Sequence, residues 1–124
     1  MNVTFDNNIP IYLKVLEYIK IYIMSGVFKC GEKLPSVREF SNSFKVNPNT
    51  MQKALTELES LNLIYTERTN GKYVTRDVKV VEKLKNEYAL TLAKSYFERM
   101  KRIGLWKADS IKYLEVMWLW KLVH

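Results

Sequence analysis

Leu34-Pro35-Ser36-Val37-Arg38-Glu39-Phe40, followed at a short interval by Val46-Asn47-Pro48-Asn49-Thr50-Met51, decides the fold. Each stretch spells the start of a helix. In the first, Ser36 and Glu39 have the spacing of a capping box. The hydroxyl takes one orphan backbone N–H and the carboxylate reaches back to another. In the second, Asn47 is the N-cap and Pro48 the first helical residue, where its missing N–H costs nothing. Val46 and Met51 take the two positions of a hydrophobic staple. Two short helices joined this tightly form a helix-turn-helix, whose second helix is shaped to enter the major groove of DNA.

Working outward, the first helix of the pair buries Val37, Phe40, Ser41 and Phe44 and ends near Phe44 or Lys45. The second turns Met51, Ala54, Leu55, Leu58 and Leu61 inward, leaving Asn49, Gln52, Lys53 and Thr56 on its outer face. Upstream, Tyr12, Val15, Leu16, Ile19, Tyr22 and Ile23 recur at helical steps over residues 9–25, with Lys14, Glu17 and Lys20 elsewhere on the wheel. Pro10 suits that helix's first turn, and Gly26 its end.

Downstream, two β-rich runs, Leu63-Ile64-Tyr65-Thr66 and Lys72-Tyr73-Val74-Thr75, flank Asn70-Gly71. Asn-Gly between such runs signals a hairpin with a type I′ turn, which needs positive φ at both central residues. A hairpin placed here is a wing, with Arg68, Lys72 and Arg76 around its turn. From Val78 a long helix of about 25 residues returns, with Val81, Leu84, Tyr88, Leu92, Tyr96, Arg99 or Met100, and Ile103 on one face. Gly104 breaks it. Ile111, Leu114, Trp118 and Leu122 mark a last helix beginning near Asp109 or Ser110.

The expected fold is therefore mainly α with a small β-hairpin: a winged helix-turn-helix domain over residues 1–76, then a two-helix dimerisation tail over 77–124. The tail is too small to fold alone and its apolar stripe needs a cover. A second copy of the chain supplies one, and with it two DNA half-sites. The expected dimer contacts are Leu84, Tyr88, Leu92, Tyr96, Ile103, Ile111, Leu114 and Trp118. Packing on the chain's own N-terminal domain is the plainer alternative, and an effector pocket lined by the tail's Trp and Tyr residues is a third.

The chain carries 20 Lys and Arg against 13 Asp and Glu, a net charge of +7 that suits a polyanionic partner. A single cysteine, Cys30, excludes an intrachain disulfide and fits a reduced cytoplasm. The only histidine is the last residue, His124, so metal ligation and histidine catalysis have almost no material, and neither metal nor cofactor is expected. No signal peptide and no membrane span is legible. With no Cys/His pair, Gly-rich phosphate loop or carboxylate cluster, the chain does not read as an enzyme.

The first 75 residues resemble the DNA-binding domain of the GntR family of bacterial transcriptional regulators. The resemblance rests on Pro10-Ile11-Tyr12, Gly26, Gly31, Leu34 to Arg38, Val46 to Thr50, Ala54, Leu58-Glu59 and Gly71 to Val74, in order and spacing. The short tail, with Ile103-Gly104-Leu105 and Ala108-Asp109-Ser110-Ile111, looks like that of the YtrA-type subfamily. The resemblance implies a homodimeric transcription factor, commonly a repressor, on a palindromic double-stranded operator. It would read through recognition helix 47–60 and wing 63–75. It also implies DNA contacts at Ser36, Arg38, Asn47, Asn49, Thr50, Gln52, Asn70 and Gly71. The basic residues Lys53 and Lys72 suit phosphate. Arg38 suits guanine or phosphate, and Asn49 and Gln52 suit adenine. Two departures stand out: Thr69 replaces the first glycine of the family's Gly-x-Gly wing, and Pro48 stands where some members carry Arg. A winged helix serving protein or RNA contact is the alternative function, since fold alone does not decide it.

Overall fold

The structure is a computed structural model and describes residues 9–124. Its elements run α1 (Ile11–Met24), α2 (Val37–Phe44), α3 (Pro48–Ser60), β1 (Ile64–Glu67), β2 (Gly71–Val74), α4 (Val78–Arg102) and α5 (Lys107–Val123). The chain divides into a first unit ending at Lys85 and a second, Asn86–His124.

In the first unit one cluster joins Val15, Leu16, Ile19 and Ile23 of α1 to Phe40 and Phe44 of α2. Met51, Ala54, Leu55 and Leu58 of α3, with Leu34, Leu63, Ile64 and Val74, complete it. The rings of Phe28, Phe40 and Phe44 stand edge to face at 5.6 Å, flanked by Tyr22 and Tyr18. That geometry directs the positive ring edge at the negative face and fixes how α1 meets α2. Val80, Val81 and Leu84 at the start of α4 close the cluster from outside.

β1 and β2 pair antiparallel, Ile64 opposite Val74 and Glu67 opposite Gly71. The loop before α2 adds a bridge of its own. Leu34 N–H donates to Lys72 C=O at 2.8 Å and Val74 N–H to Glu32 C=O at 2.9 Å. The wing is thereby pinned at its base to the segment that launches α2.

α2, α3 and α4 end alike. Lys45, Asn62 and Gly104 take positive φ of 55°, 62° and 83°, and the residue after each donates back to Ser41, Leu58 and Met100 C=O. This is the Schellman arrangement, built twice without glycine.

Several local expectations are corrected. Pro10 is the N-cap of α1, at ψ 137°, and the helix proper begins at Ile11. Leu61 is the capping residue beyond α3 and is 46% exposed, because the helix ends one step before the apolar stripe does. Lys14 is buried although it lies off the main apolar stripe of α1. The wing turn is wider than type I′. Arg68, Thr69 and Asn70 connect the strands, Asn70 N–H donates to Glu67 C=O, and of the two turn residues only Gly71, at φ 106°, is positive.

In the second unit α4 and α5 form a helical hairpin, with the Tyr96 hydroxyl donating to Ser110 C=O at 2.8 Å. α5 starts at Lys107. Trp106 takes its N-cap position, and the Trp106 N–H donates to the Asp109 carboxylate at 3.3 Å.

Candidate nucleic-acid interface

The starts of α2 and α3 carry most of the residues singled out by sequence. Ser36 Oγ accepts the Glu39 N–H at 3.1 Å. The expected reciprocal arm is different: the Glu39 carboxylate accepts the Ser36 hydroxyl, at 3.2 Å. Asn47 Oδ1 accepts the Asn49 N–H at 2.8 Å, so its amide nitrogen stays outward as a donor. Arg38 and Asn49 are exposed, Thr50 is half-buried, and the Arg38 guanidinium has no partner among the described residues. Gln52 is exposed, and its amide nitrogen donates weakly to Thr56 Oγ1 at 3.4 Å.

The two lysines are tethered. Lys53 Nζ lies 3.9 Å from the centroid of the Tyr12 ring, a cation–π contact joining α3 to α1. Lys72 does not point into solvent at the turn. Its Nζ donates to Thr66 Oγ1 at 2.9 Å and sits 3.5 Å from Glu59 Oε2, while the Thr66 hydroxyl donates to Glu59 Oε1 at 2.8 Å. The Thr66 bond above all holds the Glu59 carboxyl below its ordinary value; partial desolvation opposes it, and the Lys72 ammonium adds a lesser pull downward. This chain ties both wing strands to the last turn of α3. Arg76 also leaves the turn, lying over the Tyr65 ring at 5.5 Å.

Arg68, Thr69, Asn70 and Gly71 form the exposed wing tip. Between tip and α2 runs an open concavity of about 890 Å³, walled by Lys33, Pro35, Ser36 and Glu39 on one side and by Glu67 to Lys72 on the other. Lys33 lies under the tip, its Cε 3.6 Å from where a side chain at Gly71 would begin. The Tyr12 partner of Lys53 carried no local signal in the sequence. No cluster of His, Cys, Asp and Glu among the described residues could hold a metal, and none of their helices is long and apolar enough to cross a membrane.

What this surface can do is bind a polyanion: helix starts with free N–H groups, an unpaired guanidinium, outward amides and a narrow projecting hairpin. The same residues fall inside a family match. Residues 11–74 fit the model for bacterial regulatory proteins of the gntR family.

The chain belongs to the GntR family.

Among relatives, the HTH-type transcriptional repressor YtrA of Bacillus subtilis is 41% identical over 70 residues, covering 56% of this chain and 54% of that one. A GntR family transcriptional regulator from Listeria monocytogenes has the same fold, with TM-score 0.84 and 39% identity over 90% of this chain and 97% of that one. The DNA-binding domain of AraR, solved in complex with operator ORX1, aligns with TM-score 0.56 and 29% identity over 60% of this chain and 96% of that domain. This GntR protein is a DNA-binding transcriptional regulator and not an enzyme, built as a mostly helical winged helix.

Proposed function

We propose that the chain acts in the cytoplasm as a YtrA-type repressor, a homodimer that reads a palindromic operator with the starts of α2 and α3 and with the wing. The observation that carries this reading is the exposure of Ser36 and Arg38 at the start of α2 and of Asn47, Asn49 and Gln52 at the start of α3, with Thr50 half-buried among them. Arg38 presents a free fork to guanine O6/N7 or to phosphate, and Asn49 and Gln52 match adenine N6/N7. Ser36 and Asn47 already cap their helices, so their part is to aim the N–H groups behind them at phosphate. Asn70 and Gly71 at the wing tip lie against the backbone or the minor groove. Lys53 and Lys72 reach phosphate only by exchanging Tyr12, or Thr66 and Glu59, for it, so each adds less than a free cation would.

The dimer reading rests on Leu92, Ile103, Ile111, Leu114 and Trp118, all exposed, with Ile103 at 71% and Trp118 at 68%. Apolar surface of this extent on so small a unit calls for a protein cover. Tyr88 and Tyr96 are half-buried at its margin, and Leu84 is half-buried against the winged-helix core. The polar reading edge disfavours the protein-docking alternative, which would place apolar residues there. Selection of bound sequences from a random double-stranded DNA pool tests the whole proposal. A two-fold symmetric consensus is expected, and no enrichment, or a single asymmetric half-site, would overturn it.

A further inference from the structure

The turn between α4 and α5 encloses a cleft of about 320 Å³ that none of the DNA-reading or dimer residues lines. Its walls are Phe97 and Lys101 from α4, Leu105 and Trp106 from the turn, and Lys107 and Ser110 from α5. Phe97 and Lys101 follow Tyr96 and Met100 by one residue each, and so stand about 100° around α4 from the apolar stripe.

Its chemistry is one-sided. Phe97 and Trp106 present flat aromatic surface and Leu105 an aliphatic one, Trp106 being 64% exposed. The Lys101 ammonium sits over the Trp106 ring at 5.1 Å, which holds a positive charge beside the rings. Lys107 opens α5, whose first N–H groups add partial positive charge. Asp109 is the one acid of that first turn, and its carboxylate is occupied by the Trp106 N–H. Ser110 is fully buried, and its hydroxyl has no hydrogen-bond partner among the described residues. Buried hydroxyls are almost always satisfied, so an orphan one lining a cleft points to a missing acceptor.

We infer that this cleft binds a small planar monoanion, an aromatic or heteroaromatic carboxylate. The ring system stacks on Trp106 and Phe97, and the carboxylate takes charge-assisted bonds from Lys101 and Lys107. A cation is repelled by the two ammoniums. The volume lies at the small end of ligand sites and suits a single small ring system. The assignment concerns one tail alone and stands whether or not the operator and dimer readings hold.

The test titrates the full chain with 2-naphthoate, following heat by calorimetry and position by amide and indole NMR shifts. Saturable binding at one per chain is expected, with shifts concentrated at Phe97, Lys101, Trp106 and Ser110. The neutral isostere 2-naphthamide, and 2-naphthoate on the Lys101→Met/Lys107→Met double variant, should each bind roughly tenfold or more weakly, one lost charge-assisted contact sufficing for that factor. The comparison of the two ligands on the unmodified chain needs no variant to fold. Absence of saturation, equal binding of the amide, or shifts centred on Trp118 and Trp120 instead would each overturn the assignment.

Discussion

Replacing Glu59 with Gln removes the charge from the chain that ties wing to recognition helix while keeping its shape. Glutamine still offers Thr66 an acceptor, so what is lost is mainly the attraction to Lys72. The two side chains are 41% and 18% exposed, which puts the pair in the screened surface range of about 0.5–1 kcal/mol. For a unit the size of this winged helix that is a fall in melting temperature of roughly 4 °C. The pH dependence follows from the sign of the Glu59 shift. A carboxyl held below its ordinary value stabilises fully above the unfolded-state pKa of about 4.3, and this is lost as pH falls through the lower folded-state value. A double-mutant cycle of Glu59→Gln with Lys72→Met, measured by urea denaturation, should give its full coupling at pH 7 and a smaller one at pH 3. Zero coupling at pH 7, or the same coupling at both pH values, would refute the argument. On DNA, Glu59→Gln frees an ammonium, and the dependence of log affinity on log salt should steepen by up to about one unit.

Arg38→Ala should cost about 1–3 kcal/mol of operator affinity while leaving the melting temperature unchanged, read by fluorescence anisotropy; an equal loss on random DNA would make Arg38 a phosphate contact only. Lys45→Gly should stabilise the fold by about 1 kcal/mol, since a non-glycine residue at φ 55° carries steric strain that glycine relieves. A chain ending at Lys85 should keep the winged-helix core, including Val80, Val81 and Leu84, yet sediment as a monomer; a dimer there would remove the tail's proposed role.

What sequence reveals here is what local chemistry fixes. Ser36, Asn47 and Pro48 announce helix starts because a cap and its N–H acceptor lie within three residues. The end of α2 near Phe44 or Lys45 was legible, but that of α3 was not, since Asn62 adopts the left-handed cap without the glycine that would signal it. Leu61 continues the apolar spacing after the backbone has already turned, so periodicity overran the helix. Asn70-Gly71 marked the hairpin but not the turn, because the neighbouring Arg68 and Thr69 were drawn into the loop. The Lys53–Tyr12 contact joins residues far apart in sequence, and neither neighbourhood foretells it, while the Lys72–Thr66–Glu59 chain joins near neighbours whose meeting depends on the hairpin register that pairs Thr66 with Lys72.

The bridge from Glu32 to Val74 bears on how the protein is made. It closes a loop of about 40 residues, much like the Lys53–Tyr12 contact between α1 and α3, but its second partner is the last of these segments to be made. On the ribosome the three helices can collapse as they emerge, but the wing must wait for its second strand. Until then the Glu32–Leu34 segment has unpaired backbone groups, a sticky edge on a half-made chain. A pause in translation before Val74 should therefore favour aggregation, and one after Lys85 should not.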